Sequence, residues 1–233
     1  MKKLAIVGIT GRMGREILSL AKDLGFTVTS GVAASGETSI EGVAVVADIT
    51  KLDVNEVDVV IDFSLPEATE TVLGWCYANK KPLVSGVTGI THQQKAALAH
   101  AGQFLPVLWS PNMSLGVAVM GRLFAQLSKL EGFDFQIEEL HHNRKKDKPS
   151  GTALLLQERL TESVGDDVPA PLAIRGGGIF GIHRLWAMGE EEMLTIEHTA
   201  MNRRVFARGA LRAAQWLLGK PAGLYRLDDV LGT

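Results

Sequence analysis

The sequence predicts an α/β protein made of two parts. Short apolar runs alternate with helical spacings through the first half of the chain, which is typical of a buried parallel sheet with crossover helices. A glycine-rich loop joins the first of these runs to the first helix. Later apolar runs are separated by short glycine-containing turns, which predicts a mixed or antiparallel sheet.

The elements of the first half follow in order. Residues 4–7 form an apolar strand, and the apolar residues from Ile17 to Leu24 fall at helical spacing before Gly25, a residue that suits a helix end. Further strands are predicted at residues 26–32, 43–46, 57–63, 82–85 and 107–109, and helices from Pro66 onward and over 92–102.

The loop after the first strand has the setting of a dinucleotide-binding loop. Its glycines allow a tight turn and a close approach of the backbone to a pyrophosphate, and N–H groups at the helix start attract the anion. A purely structural turn is the alternative, but the preceding strand and following helix favour a Rossmann-like site. The candidate residues are Gly8, Ile9, Thr10, Gly11, Arg12, Met13 and Gly14.

The end of the second strand bears on the choice of cofactor. An acidic residue about 20 positions after such a loop usually binds the ribose 2′-hydroxyl group. Here Ser35 stands at the expected position, and Glu37 lies too late. Because no carboxylate would repel a 2′-phosphate there, we expect NADPH to be accepted at least as readily as NADH.

A cationic segment in the second half is the main candidate for substrate chemistry. Phe133, Phe135 and Ile137 alternate with polar residues, which predicts a half-buried strand leading into it. The segment 141–148 then contains two histidines, one arginine and three lysines. Ser150 follows as a suitable N-cap for a helix.

Such a segment suits a small dianionic substrate. Lysine and histidine bring charge and protons, and the N–H groups of Gly151 and Thr152 can hold a carboxylate at a helix N-terminus. The neighbouring cations Arg144, Lys146 and Lys148 would ease the release of a proton from His141 and Lys145. A solvated basic loop is the alternative, but the adjacent histidines and the Ser-Gly-Thr cap favour a site.

The remaining elements complete the second part. A long apolar helix is predicted over residues 115–130, and strands are predicted at 172–175, 181–188, 193–198 and 204–206. A last helix is predicted over residues 207–218, followed by a short tail that could dock on the first part.

The composition limits the classes of function. The 233 residues are 46% hydrophobic and 21% charged, with a formal net charge of −2, so no general attraction to nucleic acid is expected. No apolar run reaches membrane-spanning length, and a cytoplasmic location is expected. The single Cys76 excludes an internal disulfide and a multi-cysteine metal site, and no metal is expected.

Taken together, these motifs resemble the dihydrodipicolinate reductase family over nearly the whole chain. One matching segment runs from Glu139 to Ala153, and its part from His141 to Thr152 is highly specific. The other matching segments are the glycine loop, Asp62-Phe63-Ser64, Gly86-Val87-Thr88-Gly89, Asn112-Met113-Ser114-Leu115-Gly116-Val117, Gly181-Ile182-His183 and Gly219-Lys220-Pro221-Ala222-Gly223-Leu224-Tyr225.

The resemblance implies reduction of a cyclic unsaturated imine dicarboxylate to tetrahydrodipicolinate by NADH or NADPH, in lysine and diaminopimelate biosynthesis. It implies that His141 is a catalytic proton donor or acceptor and that Lys145 is a proton donor. His142, Gly151 and Thr152 would contact the substrate. Besides the glycine loop and the Ser35 position, the implied cofactor contacts are Gly86, Val87, Thr88, Ser110, Pro111, Asn112 and Met113.

The resemblance also implies a domain division and an assembly. Residues 1–114 and 204–233 would form the dinucleotide-binding domain, and residues 115–203 would form an α+β domain that binds the substrate and builds a homotetramer through its mixed sheet. Three departures from the family pattern are Ser35 in place of a frequent acidic residue, Val87 in place of a common threonine, and a short segment between Leu160 and Arg175 that would reduce a flap.

Two other functions fit the same scaffold. One is a different NAD(P)-dependent dehydrogenase, which would act on open-chain amino or hydroxy acids. The other is a non-catalytic module that binds the dinucleotide without consuming it.

Overall fold

Two separate sheets organise the chain, one of eight strands and one of four. The computed structural model describes residues 1–232. The larger sheet lies in the first of two compact units, formed by residues 1–113 and 206–232, and the smaller sheet lies in the second unit, formed by Ser114–Val205.

The elements are numbered along the chain. The strands are β1 (Lys2–Val7), β2 (Phe26–Val32), β3 (Ser39–Ile40), β4 (Val43–Val46), β5 (Val59–Asp62), β6 (Leu83–Ser85), β7 (Pro106–Trp109), β8 (Asp134–His141), β9 (Leu172–Arg175), β10 (Ile182–Met188), β11 (Met193–Thr199) and β12 (Gly223–Tyr225). The α-helices are α1 (Arg12–Ala21), α2 (Thr69–Asn79), α3 (His92–Gly102), α4 (Leu115–Leu123), α5 (Gly151–Val164) and α6 (Arg204–Leu217). Short 3₁₀ helices cover Lys22–Leu24, Ile49–Lys51, Val54–Glu56, Pro66–Ala68, Phe124–Lys129 and Leu227–Leu231.

The larger sheet has the strand order β12-β7-β6-β5-β1-β2-β4-β3. Neighbouring strands are parallel except β3 and β4. β1 has β2 on one side and β5 on the other, so the chain changes direction across the sheet at β1. Open parallel sheets bind ligands at this kind of switch point, beside the carboxyl ends of the strands. The predicted α/β class with a Rossmann-like sheet is confirmed.

The central strands of this sheet are buried along most of their length. β5 and β6 are buried at every residue, and β1 is buried from Leu4 to Val7. This is the pattern of strands covered on both faces, and it explains their continuous apolar runs. The predicted docking of the tail is confirmed, because β12 pairs in parallel with β7.

The smaller sheet is mixed, as predicted. β10 is antiparallel to both β8 and β11, whereas β8 and β9 are parallel. Helices supply apolar residues to a core against one face of the sheet, and its members include Val117, Met120, Phe124, Ile137, Leu156, Leu160 and Leu185. The predicted long helix over residues 115–130 is divided into α4 and a 3₁₀ segment over Phe124–Lys129.

The strand predicted at residues 204–206 is wrong. These residues form the first turn of α6, where the N–H group of Arg204 donates to Asn202 Oδ1 at 3.0 Å. Val205 and Phe206 favour a strand locally, but the apolar pattern continues at helical spacing through Ala207, Ala210, Leu211 and Ala214. The side-chain cap and the buried helical face outweigh the local propensity.

A glycine holds α6 close to the segment that follows β7. A Cβ atom built on Gly209 would lie 1.7 Å from the carbonyl oxygen of Met113, so a larger residue could not occupy this position without a backbone shift. The contact fixes residues 110–113 in the first unit, next to the carboxyl end of β7. Within residues 1–232, no helix has the length and apolar character needed to cross a membrane.

Candidate active site

The glycine loop after β1 is tightly packed against the end of β5. A Cβ atom on Gly8, which has φ 80°, would lie 2.7 Å from the carbonyl oxygen of Phe63, and one on Gly14 would lie 2.2 Å from the Gly8 carbonyl oxygen. Helix α1 starts beyond Gly11, and no side chain caps its N-terminus. Tightly packed glycines and an uncapped helix start fit a bound pyrophosphate.

The other predicted cofactor residues follow neighbouring strands of the same sheet. Gly86 follows β6, and a Cβ atom there would lie 2.4 Å from the Phe63 ring. Val87 is buried, and its carbonyl oxygen accepts a hydrogen bond from Trp109 Nε1 at 3.0 Å. After β7, Ser110 Oγ donates to the Asn112 carbonyl oxygen at 2.6 Å. Parallel strands therefore bring residues 8–14, 86–88 and 110–113 to one edge of the sheet.

The Ser35 position lies at the same edge, after β2. Ser35 is exposed, and Glu37 faces Arg15, with 3.8 Å between Glu37 Oε1 and Arg15 Nη2. The Arg15 Nε group also donates to the Thr10 carbonyl oxygen at 3.1 Å. The carboxylate nearest in sequence to Ser35 is thus already paired with a cation.

The second unit places ionisable groups on the buried face of its sheet. Along β8, Phe135, Ile137, Glu139 and His141 are buried and their neighbours are more exposed, because side chains alternate between the two faces of a strand. The first two of these residues belong to the apolar core, and the last two continue the same face as a polar end. β10 adds His183, which stands opposite Glu139 in the register.

The Glu139 carboxylate is the centre of this polar end. Its side chain is fully buried, and it accepts hydrogen bonds from Arg175 Nη2 at 2.7 Å, from Arg175 Nη1 at 2.8 Å and from the Ser150 N–H group at 3.0 Å. It also pairs closely with His141 Nδ1. Burial alone would raise the pKa of Glu139, but the hydrogen bonds and charges of Arg175 and His141 hold it below its usual value.

His141 presents its other ring nitrogen to the loop before β10. A Cβ atom on Gly181 would lie 3.0 Å from His141 Nε2, so the absence of a side chain keeps this nitrogen accessible. Burial is the main cause that lowers the pKa of His141, while Glu139 raises it and the charges of Lys145 and Arg175 lower it further. Burial thus has a larger effect on this proton than the cations, and the cations that act are Lys145 and Arg175, whereas the expected ones were Arg144, Lys146 and Lys148.

The uncharged imidazole ring of His183 packs against the ring of His141. Their rings meet edge to face with 5.1 Å between centroids, and Ser150 Oγ lies 3.4 Å from His183 Nε2. Burial lowers the pKa of His183 to about 3, and the charge of His141 acts in the same direction. His183 is consequently uncharged at neutral pH, and its Nδ1 atom is buried without a hydrogen-bond partner.

The cationic loop is clamped by the glycine turn that follows β9. The His142 N–H group donates to the Ile179 carbonyl oxygen at 2.7 Å, and the Gly176 N–H group donates to the His141 carbonyl oxygen at 2.9 Å. Lys145 Nζ lies 2.9 Å from Asp147 Oδ2 and is partly buried. The remaining cations of the loop are exposed, namely Arg144, Lys146 and Lys148.

The predicted start of α5 is confirmed. Ser150 Oγ accepts from the Ala153 N–H group at 3.2 Å, and the helix begins at Gly151. Burial would raise the pKa of Asp147, but Lys145 and the backbone N–H group of Gly151 hold it below its usual value.

The structure adds three residues to the predicted set. Glu139, Arg175 and His183 surround His141, although the sequence motifs indicated no separate role for them. For Glu139 a signal was present, since the period of two that buries Phe135 and Ile137 continues to Glu139 and His141. Arg175 reaches the site through the pairing of β8 with β9, which local sequence does not reveal.

Other groups take no part in this site. Cys76 is buried in α2, where burial raises the pKa of its thiol. His92 and His100 are exposed on α3. Within residues 1–232, no group of three or more His, Cys, Asp or Glu side chains is arranged to hold a metal ion.

Comparison with known proteins covers both units. The family described as dihydrodipicolinate reductase, N-terminus, matches residues 2–113, and the family described as dihydrodipicolinate reductase, C-terminus, matches residues 116–231. A 4-hydroxy-tetrahydrodipicolinate reductase of Bdellovibrio bacteriovorus is 46% identical over 234 residues, covering 98% of this chain and 96% of that protein. One of Myxococcus xanthus is 40% identical over 266 residues, covering 100% and 98%.

Solved structures show the same fold. Dipicolinate-bound dihydrodipicolinate reductase from Paenisporosarcina sp. TG-14 is similar with a TM-score of 0.83 at 21% identity, covering 98% of this chain and 99% of that one. An amine dehydrogenase from Mycobacterium smegmatis is similar with a TM-score of 0.66 at 12% identity, covering 98% and 96%. At these identities the likeness concerns the fold alone.

The buried neutral histidine predicts a loss of stability toward acid. The pKa of His183 is about 3 in the folded chain, against 6.5 for an ordinary histidine. Between these values the unfolded state binds more protons, so the free energy of unfolding should fall as the pH decreases, by up to about 1.4 kcal/mol per pH unit. The lowered pKa values of His141 and His198 act in the same direction.

Urea unfolding between pH 7 and pH 5 measures this effect, because this window spans the ordinary pKa of histidine, 6.5, and lies above that of glutamate, 4.5. The variant His183→Gln should show a shallower decrease, and the exposed control His92→Gln should keep the wild-type slope. Equal slopes in all three proteins would contradict a neutral buried His183.

Proposed function

The chain belongs to the dihydrodipicolinate reductase family, and on this premise we infer that it is an NAD(P)H-dependent 4-hydroxy-tetrahydrodipicolinate reductase. It converts 4-hydroxy-tetrahydrodipicolinate, by way of dihydrodipicolinate, to tetrahydrodipicolinate in lysine and diaminopimelate biosynthesis. The observation that carries this conclusion is the 46% identity to a reductase of that name over 98% of the chain.

We propose that the first unit binds the cofactor and the second the dicarboxylate. The glycine loop, residues 86–88 and residues 110–113 would hold NADH or NADPH, supported by the close packing of Gly8 and Gly14 and by the uncapped start of α1. The bound cofactor supplies a hydride. The proposed boundaries remain residues 1–114 with 204–233 for one domain and 115–203 for the other.

The dicarboxylate would bind at the cationic loop and the start of α5. His142 has a buried Nδ1 atom without a partner, and Gly151 and Thr152 lie in the first turn of the helix, where N–H groups favour an anion. Lys145 Nζ lies 2.9 Å from Asp147 Oδ2, so the partner of that carboxylate is the group proposed to protonate the substrate.

Lys145 and His141 are the residues proposed to transfer protons. Reduction of a conjugated imine leaves an electron-rich product that must take up a proton, and a positioned acid accelerates such a step by about 10²–10⁴-fold. The Lys145 ammonium group would donate this proton. The His141 Nε2 atom would accept or return a proton, since Nδ1 is engaged by Glu139.

Steady-state kinetics on freshly prepared condensation product of aspartate semialdehyde and pyruvate tests the function. We expect cofactor oxidation by the wild-type protein and a loss of kcat of about 10²–10⁴-fold in Lys145→Ala, because the proton donor is removed. The KM for the cofactor should stay near that of the wild type. The matched control is Lys146→Ala, at the exposed lysine next to Lys145, and this variant should remain active.

If Lys145→Ala retained wild-type turnover, Lys145 would not be the proton donor. If the wild-type protein bound the dinucleotide but oxidised none of it with this substrate, the reductase assignment itself would fail.

Cofactor choice is a separate proposal that depends on Ser35. We expect comparable kcat/KM values with NADPH and NADH, because the exposed serine does not repel a 2′-phosphate and Glu37 faces Arg15. In Ser35→Asp, the new carboxylate should shift the preference toward NADH. A strong NADH preference in the wild-type protein would contradict this proposal.

We also propose that four chains associate through the smaller sheet. The sheet face opposite the apolar core leaves large apolar side chains exposed in two groups, one on the paired strands β10 and β11 and one on the edge strand β9. Exposed apolar groups of this kind mark interaction surfaces. These side chains are Leu172, Ile174, Met188 and Met193.

Light scattering on the purified protein should give the mass of four chains. Met193→Asp should lower the mass, since it buries a charge in the proposed interface, whereas the control Phe104→Asp, at an exposed apolar residue of the other unit, should not. A monomeric wild-type protein would contradict the assembly.

A further inference from the structure

We propose that Glu139 and Arg175 are positioning residues that fix the tautomer and the charge state of His141 for proton transfer. The inference rests on the proposed function, because it concerns the same site, but it assigns a role to two residues that do not touch the reacting atoms. The observation that supports it is the fully buried carboxylate of Glu139, which lies between Arg175 and His141.

The hydrogen-bond geometry fixes which nitrogen of His141 carries the proton. An ionised carboxylate only accepts hydrogen bonds, so the Nδ1 atom that meets Glu139 must be the donor. The neutral ring then has its lone pair on Nε2, the nitrogen beside Gly181. Because free histidine prefers a proton on Nε2 in water, the carboxylate imposes the less common tautomer.

The negative charge of Glu139 also sets how readily His141 holds a second proton. The groups that face His141 are Glu139 on its own strand, Arg175 on β9, His183 on β10 and Lys145 on the loop. Of these four, Glu139 is the anion, and His183 is neutral. Glu139 therefore offsets burial and the two cations, and keeps an imidazolium form accessible during the reaction.

Arg175 makes this arrangement possible. An isolated buried carboxylate would take up a proton, and a protonated Glu139 could no longer stabilise a positive His141. The bidentate pair, at 2.7 and 2.8 Å, keeps Glu139 ionised. The same guanidinium donates to the Asp147 carbonyl oxygen, and the Asp147 side chain holds Lys145 Nζ at 2.9 Å. Arg175 thus connects the supports of both proposed proton-transfer groups.

The first test measures the tautomer of His141 in the wild-type protein, and a variant is needed only to assign the signal. Nitrogen-15 NMR of imidazole-labelled wild-type protein at neutral pH should show His141 protonated on Nδ1 and unprotonated on Nε2. The signal would be assigned by its disappearance in His141→Asn. A His141 protonated on Nε2 would overturn the proposal, whatever the activity of the protein.

The second test is the pH profile of kcat/KM. In Glu139→Gln, a side chain of the same shape has no charge, so the imidazolium is less stable and the inflection due to His141 should move to lower pH. We expect kcat to fall at least about tenfold with little change in the KM for the cofactor. The control Glu138→Gln removes the adjacent carboxylate, which pairs with Arg184 on the other face of the sheet, and should leave the inflection in place.

A double variant separates positioning from a merely structural role. If Glu139 acts through His141, Glu139→Gln should cause little further loss of kcat when it is added to His141→Asn. Independent, multiplicative losses would overturn the proposal, as would an unshifted pH profile in a folded Glu139→Gln.

Failure of the proposed function would look different. A wild-type protein that is inactive on the cyclic dicarboxylate would remove the reductase assignment, whereas the tautomer of His141 would still be measurable. If Glu139→Gln did not fold, the tautomer measured in the wild-type protein would still decide the proposal.

Discussion

The bidentate contact between Glu139 and Arg175 is the constraint on which the second unit's candidate site depends. Removing a carboxylate from water costs several kcal/mol unless charge and hydrogen bonds compensate for it. Compensation here comes from β9 through Arg175, from the start of α5 through the Ser150 N–H group, and from β8 itself through His141. One side chain therefore requires three segments to meet in a single arrangement, and the histidine is held as a result.

In the first unit, close packing and not charge fixes the positions of the candidate residues. Its candidate residues are fixed by close backbone contacts that exclude a Cβ atom, as at Gly8 and Gly14, and by the burial of β1, β5 and β6. Steric exclusion shapes the surface that is proposed to hold the cofactor. In the second unit, charge and hydrogen bonds hold the groups that would exchange protons, because their ionisation states matter for the chemistry.

Sequence patterns predicted the architecture better than the fine structure of the site. The glycine loop, the buried parallel strands, the N-cap at Ser150 and the mixed sheet were all predicted, because each depends on local spacing or on a residue with one strong preference. The first turn of α6 was mistaken for a strand, since Val205 and Phe206 have strand propensity and the helix is fixed by burial and by Asn202. Arg175 could not be predicted, because its role depends on a pairing between distant strands.

The alternation along β8 also limits how this enzyme can change. Its buried face passes from Phe135 and Ile137 to Glu139 and His141, while the intervening residues face the other side of the sheet. Inserting one residue between Ile137 and Glu138 would turn the carboxylate and the imidazole to the opposite face and bring Glu138 and Leu140 inward. Variation in length should therefore be confined to the loops around this strand, even in relatives whose surface residues have diverged widely.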